Sequence, residues 1–193
     1  MFPAFTTIIV SMTPGMIFRP ARSEDSLNIA AIQVESYQRA YAGLLPAPYL
    51  AQFSVAEQAL DWQAWFAQAQ TEILLVAEDE AGELCGYALG KKAIQSFPPY
   101  QSELVALHVC QPSQGKGIAR RLVIEMAEKF IGAGCTSMMC WVLEGNPARR
   151  FYERLGGKVV GRQIITLDEN GSEAVEIAYS WDDISILRQS AYN

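Results

Sequence analysis

The chain has 193 residues, 50% of them hydrophobic and 19% charged, with a formal net charge of -6. That length and balance suit one globular domain with its own core and exclude an intrinsically disordered chain. The acidic sum also argues against a duplex-binding surface, which needs a dense basic footprint, so no nucleic acid is expected as a partner.

Residues 2–12 are apolar but too short to span a bilayer, and no basic residue precedes them as in a secretory signal. No membrane partner is expected. Residues 1–15 read as an extension, either flexible or packed on a partner subunit, ahead of a single domain over 16–193. Residues 16–19 read as a first strand. Ser23 predicts a helix N-cap, with Glu24 and Asp25 in the first turn where the helix dipole favours anions. Leu27, Ala30, Ala31, Val34 and Tyr37 then keep helical spacing. Residues 41–46 break that helix, and Pro46 opens a second one. Ser54 caps a third, with Val55, Ala59, Trp62, Trp65 and Phe66 on its buried side.

From Glu72 the pattern changes to strands. Residues 73–77 and 84–89 flank the turn Asp79-Glu80-Ala81-Gly82 as a hairpin. Phe97-Pro98-Pro99-Tyr100 predicts a rigid loop, and residues 103–109 form a strongly apolar strand. Residues 115–130 give the clearest helix, because Ile118, Leu122, Met126 and Phe130 recur every fourth position; Gly132 and Gly134 end it. Residues 137–143 make the next strand. A short helix begins at Asn146-Pro147 and closes at Gly156-Gly157 in the manner of a glycine C-cap. Residues 158–167 and 174–181 bracket a last hairpin at Asp168-Glu169-Asn170-Gly171. The order predicts one mixed α/β domain. Four cysteines without a CxxC pair and a single histidine, His108, leave neither a disulfide framework nor a standard zinc arrangement. A reducing cytoplasm is therefore the expected compartment, with no metal.

The turn Gln114-Gly115-Lys116-Gly117-Ile118-Ala119 between a strand and a helix has the form of a phosphate site. Amides of the first helical turn point outward, the dipole adds partial positive charge, and glycine lets a ligand approach the backbone. Alone, such a turn is equally a structural one. A dinucleotide fingerprint needs a third glycine or alanine where Arg120 stands, and it usually opens a fold rather than following several elements. A GxxxxGK loop followed by serine or threonine is absent.

The same six residues fit the pattern (Q/R)xxGx(G/A) and so resemble the GNAT superfamily of N-acetyltransferases. Residues 103–109 resemble the strand that precedes this motif in the family. Asn146-Pro147-Ala148-Arg149-Arg150-Phe151-Tyr152-Glu153-Arg154-Leu155-Gly156-Gly157 is similar to its later N-x-x-A-x-x-F-Y-x-x-x-G-F stretch, and Tyr179-Ser180-Trp181 is similar to its end. Three departures stand out: Ala119 replaces the commoner glycine, Arg149 an alanine, and Gly157 an aromatic residue.

The resemblance implies a mixed, mostly antiparallel sheet flanked by helices, with splayed central strands. It implies acetyl-CoA as cosubstrate and a primary amine, on a small molecule or a peptide, as acceptor. The backbone of Leu107, His108 and Val109 would pair with the pantetheine arm across a gap between the strands ending at Val109 and Leu143. The amides from Gly115 through Lys116, Gly117 and Ile118 to Ala119, with Gln114, would hold the pyrophosphate. Asn146 would contact the coenzyme or order the helix after it. Tyr152 would be the general acid for the leaving thiolate, since a phenol of ordinary pKa about 10 is protonated at neutral pH. Glu103 would be the general base, through water, or else a solvated residue at the strand mouth. The family implies transfer by direct attack, so the cysteines need no role, and a homodimer through the final hairpin. Tyr37, Tyr41, Trp62, Trp65 and Tyr100 would form an aromatic wall for a cationic amine, or else, for the tryptophans, core packing. A non-catalytic acyl-CoA-binding sensor shares the turn and differs at Tyr152 and Glu103.

Overall fold

The computed structural model describes residues 15–68, 71–92, 100–169 and 171–189. The expectations for residues 1–14, for residues 97–99 and for Asn170 lie outside them. Seven strands form one sheet: β1 (Ile17–Pro20), β2 (Ile73–Glu78), β3 (Leu84–Lys92), β4 (Ser102–Val109), β5 (Met138–Leu143), β6 (Lys158–Thr166) and β7 (Glu173–Trp181). Their spatial order is β1-β2-β3-β4-β5-β7-β6. All pairs are antiparallel except β4 with β5, which is parallel. The sheet is therefore mixed and mostly antiparallel, as the sequence implied.

Helices cover both faces because the strands bury both. On one side lie α1 (Ser26–Ala40) and α3 (Val55–Phe66), where Ile29, Ala30 and Trp62 meet Leu74, Val76 and Tyr87. On the other lies α4 (Ile118–Gly132), whose four-residue repeat Ile118, Leu122, Met126 and Phe130 is fully inside. It packs with Leu104, Met138, Tyr179 and Trp181. The short helices α2 (Ala47–Leu50) and α5 (Arg149–Arg154) follow α1 and β5. A sixth, α6 (Ile186–Gln189), went unpredicted; Ile184 and Leu187 pin it beneath α4, where Arg188 grips Glu128 with two hydrogen bonds.

Three helix starts differ from expectation, the simplest being α5, which begins at Arg149 rather than at Asn146-Pro147. Ser54 caps α3 as predicted, its hydroxyl accepting from the Glu57 N–H at 3.2 Å. Ser23 does not cap α1, because a 3-10 turn over Ser23–Asp25 comes first. The Asp25 carboxylate turns back to accept from the Arg22 N–H at 2.7 Å and to pair with Arg19, which also binds Glu78. The helix predicted from Gly115 begins three residues later, at Ile118, since Gly115 (φ 76°) and Gly117 (φ 82°) both take the left-handed conformation.

Where β4 meets β5, the sheet is held by little backbone. Only Ser102 with Met138 and Glu103 with Met139 are in register. Beyond that seam the two strands diverge toward their C-terminal ends. β4 also carries an extra residue: Leu89 of β3 faces Ala106 and Gly90 faces Leu104, so Val105 bulges out and is exposed. Among the described residues no helix is long and apolar enough to cross a membrane, and no cluster of histidine, cysteine and carboxylate groups could hold a metal. The four cysteines are unbridged.

Candidate functional site

The divergence of β4 and β5 opens two connected cavities. An inner one of about 210 Å³ runs along residues 104–109 of β4 and past Trp141 and Val142 of β5, roofed by Tyr37, Arg39 and Tyr41. An outer one of about 780 Å³ continues over Gly115 and Ala119 to Asn146, Phe151 and Arg154. Leu107, Val109, Gln114, Asn146 and Tyr152 line both.

The backbone of β4 is not uniformly available to this space. The Cys110 N–H donates to the Cys85 carbonyl at 3.0 Å, and alternation of an antiparallel ladder then turns the peptide groups of Val109 and Leu107 away from β3. They face the gap. The Val109 carbonyl confirms the direction by accepting from Gln114 Nε2 at 3.0 Å. His108, by the same alternation, directs its backbone at Tyr87 of β3, so pairing across the gap falls to its two neighbours. Its ring stands beside Tyr87 and Tyr37, with centroids 5.1 and 5.6 Å away.

Burial lowers the His108 pKa to about 4, so the imidazole is neutral at pH 7. Protonation then favours the unfolded chain, whose histidine has the ordinary value near 6.5. Stability contributed by keeping His108 neutral is present above that value and is lost as pH falls from 6.5 toward 4. Urea unfolding at pH 7.5 and 5 should show a smaller loss for His108→Phe than for the wild type; an identical loss would contradict a buried neutral ring.

The turn after β4 is anchored at both ends. A 3-10 turn over Gln111–Ser113 leads in, and the first bond of the α4 ladder runs from the Arg121 N–H to the Gly117 carbonyl at 3.0 Å. The amides of Ile118 and Ala119 thus precede the ladder and have no intrahelical acceptor. Gly115 and Ala119 are on the cavity wall, whereas Lys116 and Gly117 form the turn behind it and the Ile118 side chain is core.

Across the cleft, Asn146 Oδ1 accepts from the Ala148 N–H at 2.8 Å, which fixes the turn that leads into α5 at Arg149. Tyr152 follows one turn on. Its ring stacks on Tyr179 and meets Trp181 edge-on, with centroids 6.1 and 6.2 Å away. Burial pushes its phenol well above the usual value of 10, so it stays protonated. Among the described residues, nothing hydrogen-bonds its hydroxyl.

Two departures from the family pattern have structural reasons. Arg149 donates to the Tyr179 hydroxyl and to the Glu144 carbonyl, both at 2.9 Å, tying α5 to β7 and β5. Gly157 leaves the space that the Trp181 indole fills: a Cβ there would lie 2.9 Å from its Cζ2.

Glu103 lies apart from these groups. It is on β4 at the seam, its carboxylate 3.1 Å from Lys91 Nζ, and it lines neither cavity. Of the proposed aromatic wall, Tyr37 and Tyr41 are in place. Trp62 is core, donating to Gln33 at 2.8 Å, and Trp65 packs beside it; Tyr100 reaches Asp182 instead. Trp141 joins the wall unannounced, although alternation along β5 was a legible signal: Met138, Cys140 and Val142 take the α4 side and leave Trp141 the other. Arg39 and Arg154 were also missed, and no sequence pattern marks them.

Residues 36–157 match the acetyltransferase (GNAT) family. The chain is 28% identical over 170 residues to the uncharacterized N-acetyltransferase YuaI of Bacillus subtilis, covering 88% of this chain and 95% of that one. Its fold is similar to that of the PaiA N-acetyltransferase of Thermoplasma acidophilum in complex with coenzyme A, with a TM-score of 0.67 at 20% identity over 86% of this chain and 99% of the other. It is also similar to YncA of Salmonella typhimurium with its cofactor acetyl-CoA, with a TM-score of 0.63 at 20% identity over 86% and 93%.

Proposed function

The chain belongs to the acetyltransferase (GNAT) family, and from that premise we propose that it moves an acetyl group from acetyl-CoA to a primary amine by direct attack. The acceptor is a small molecule or a peptide. The observation that carries this reading is the unpaired stretch of β4 beside β5, which leads straight into the glycine turn. An extended ligand with two amide groups is what such a gap accepts, because it pairs like an added strand. Leu107 and Val109 supply the peptide groups, and the amides from Gly115 to Ala119 take the pyrophosphate. Gln114 holds the Val109 carbonyl at the end of that stretch.

The thioester then lies near Tyr152. The amine nitrogen attacks the carbonyl carbon, and backbone N–H groups of β4 stabilise the negative oxygen. As the C–S bond breaks, the thiolate takes the Tyr152 proton. The amine gives up its own proton to water and through it to Glu103, whose carboxylate is one position outside the inner wall and reaches the site only by such a relay. The edge position of β6, with Val159 and Ile164 exposed, supports a homodimer through the last hairpin.

Thiol release from acetyl-CoA, followed against a panel of small amines and lysine peptides, tests the proposal. Turnover with at least one amine is expected. Coenzyme binding without turnover on any amine would favour an acyl-CoA-binding sensor instead.

A further inference from the structure

The last rung between β3 and β4 is a pair of cysteines. The register of Gly86 with Val109 continues one step to Cys85 with Cys110, where the Cys110 N–H donates to the Cys85 carbonyl at 3.0 Å. Opposed residues of an antiparallel pair have Cα atoms about 4.5–5.5 Å apart, inside the range of about 4.4–6.8 Å that a disulfide spans. Cys85 is also the extra residue of β3 against β2, since Ala77 faces Gly86 and Glu78 faces Leu84. Its side chain joins the core beneath α4, and Cys110 packs against the same cluster. The two thiols are hydrogen-bonded there; burial, and after it the nearby Cys110, raises the Cys85 pKa, while a hydrogen bond with Ser113 opposes the rise. Cys85 is 6% exposed, whereas Cys110 is half-buried and open to solvent. The other cysteines are placed differently: Cys140 is enclosed on β5, and the Cys135 thiol donates to the Gln101 carbonyl at the opposite end of β4.

We propose that Cys85 and Cys110 are a site of reversible oxidation, closed to an intramolecular disulfide by a small disulfide such as oxidised glutathione, and that closure weakens coenzyme binding. The accessible Cys110 sulfur, as thiolate, attacks one sulfur of the oxidant and expels a glutathione thiolate. Cys85 then gives up its proton, and its sulfur attacks Cys110 Sγ and expels the second glutathione. Two protein thiols lose two electrons and two protons, and the oxidant gains them as it leaves as two thiols. Cys110 is placed to transmit the change. It follows Val109 directly, and its carbonyl accepts from the Ser113 N–H at 3.0 Å, which closes the 3-10 turn leading to Gln114. A hydrogen-bonded cross-strand pair holds its Cβ atoms about 5.5 Å apart, and a disulfide needs about 3.8 Å. Closing the bond draws Cys110 toward β3 and takes the Val109 peptide group and the turn with it. The effect on coenzyme rests on the reading of that turn given above; formation of the disulfide does not.

The full chain, treated with oxidised glutathione and freed of excess reagent, gives two readouts. Mass spectrometry should find the chain lighter by two hydrogens, two of its four thiols closed to alkylation, and a peptide linking Cys85 to Cys110. Calorimetric titration with coenzyme A should show affinity about tenfold below that of the reduced chain, the scale of one or two lost backbone hydrogen bonds, and dithiothreitol should restore it. Cys85→Ser should stop at a mixed disulfide of Cys110 with glutathione, and Cys110→Ser should form neither product. A wild type that keeps four thiols, or that stops at the mixed disulfide, overturns the pair. A linked Cys85–Cys110 peptide with unchanged coenzyme affinity overturns the coupling and leaves the coenzyme reading standing. A reduced chain that binds no coenzyme A removes that reading and the coupling with it, and the linked peptide still decides the pair.

Discussion

Tyr152→Phe is expected to slow acetyl transfer about a hundredfold while coenzyme affinity stays within a few-fold of wild type, the range typical of a lost general acid. The phenol lines both cavities, and burial keeps it protonated well past neutral pH. A raised pKa on an acid means that the proton is present across the working range, so any basic limb of the rate profile below pH 10 belongs to another group. The substitution removes only the hydroxyl. The ring contacts with Tyr179 and Trp181 remain, and among the described residues the hydroxyl has no partner to orphan, so stability should change by less than about 1 kcal/mol. Stopped assays of thiol release at saturating acetyl-CoA give the answer. Rates within threefold of wild type would take the acid role from Tyr152.

The second large effect is expected at Gly115, and it separates strain from ligand contact. Gly115 and Gly171 have nearly the same left-handed φ, 76° and 79°, and an added Cβ would meet no protein atom within 4 Å at either. Alanine should therefore destabilise the chain by a similar amount at both sites, about 1–2 kcal/mol from the left-handed backbone. Gly171 is in the β6–β7 hairpin, whereas Gly115 is on the outer cavity wall. The open space at Gly115 belongs to the proposed phosphate site, and a methyl group there would keep a pyrophosphate from the amides. Coenzyme affinity should fall tenfold or more for Gly115→Ala and hold for Gly171→Ala. Equal affinities, with matched losses in melting temperature, would mean that the turn is structural only.

The parts of this molecule legible in its sequence are those set by local chemistry. The α4 stripe, the Asp79 hairpin and the Ser54 cap each depend on residues within a turn or two of one another, and each forms as written. Ser23 does not cap α1, because Asp25 folds back onto the Arg22 N–H and onto Arg19 from a strand, and a 3-10 turn comes first. The structure brings Asn146, Gln114 and Tyr152 to one cleft, yet the motif could not foresee that the His108 backbone turns to β3 or that Lys91 holds Glu103. Ladder alternation and cross-strand pairing decide those, and both are properties of neighbours far away in the chain. Arg39 and Arg154 were invisible for the same reason: which side chains share a cavity wall is set by elements far apart in the chain.

The short seam between β4 and β5 has a consequence for how the molecule holds together. Strands β1–β4 and strands β5–β7 are two panels whose backbones are stitched at two residue pairs, with the core beneath α4 as their common lining. Whatever lies in the gap and bonds to both sides completes the fabric. A ligand bonded to both edges would add backbone links between the two panels, and because it binds the folded chain alone its free energy would be shared by both.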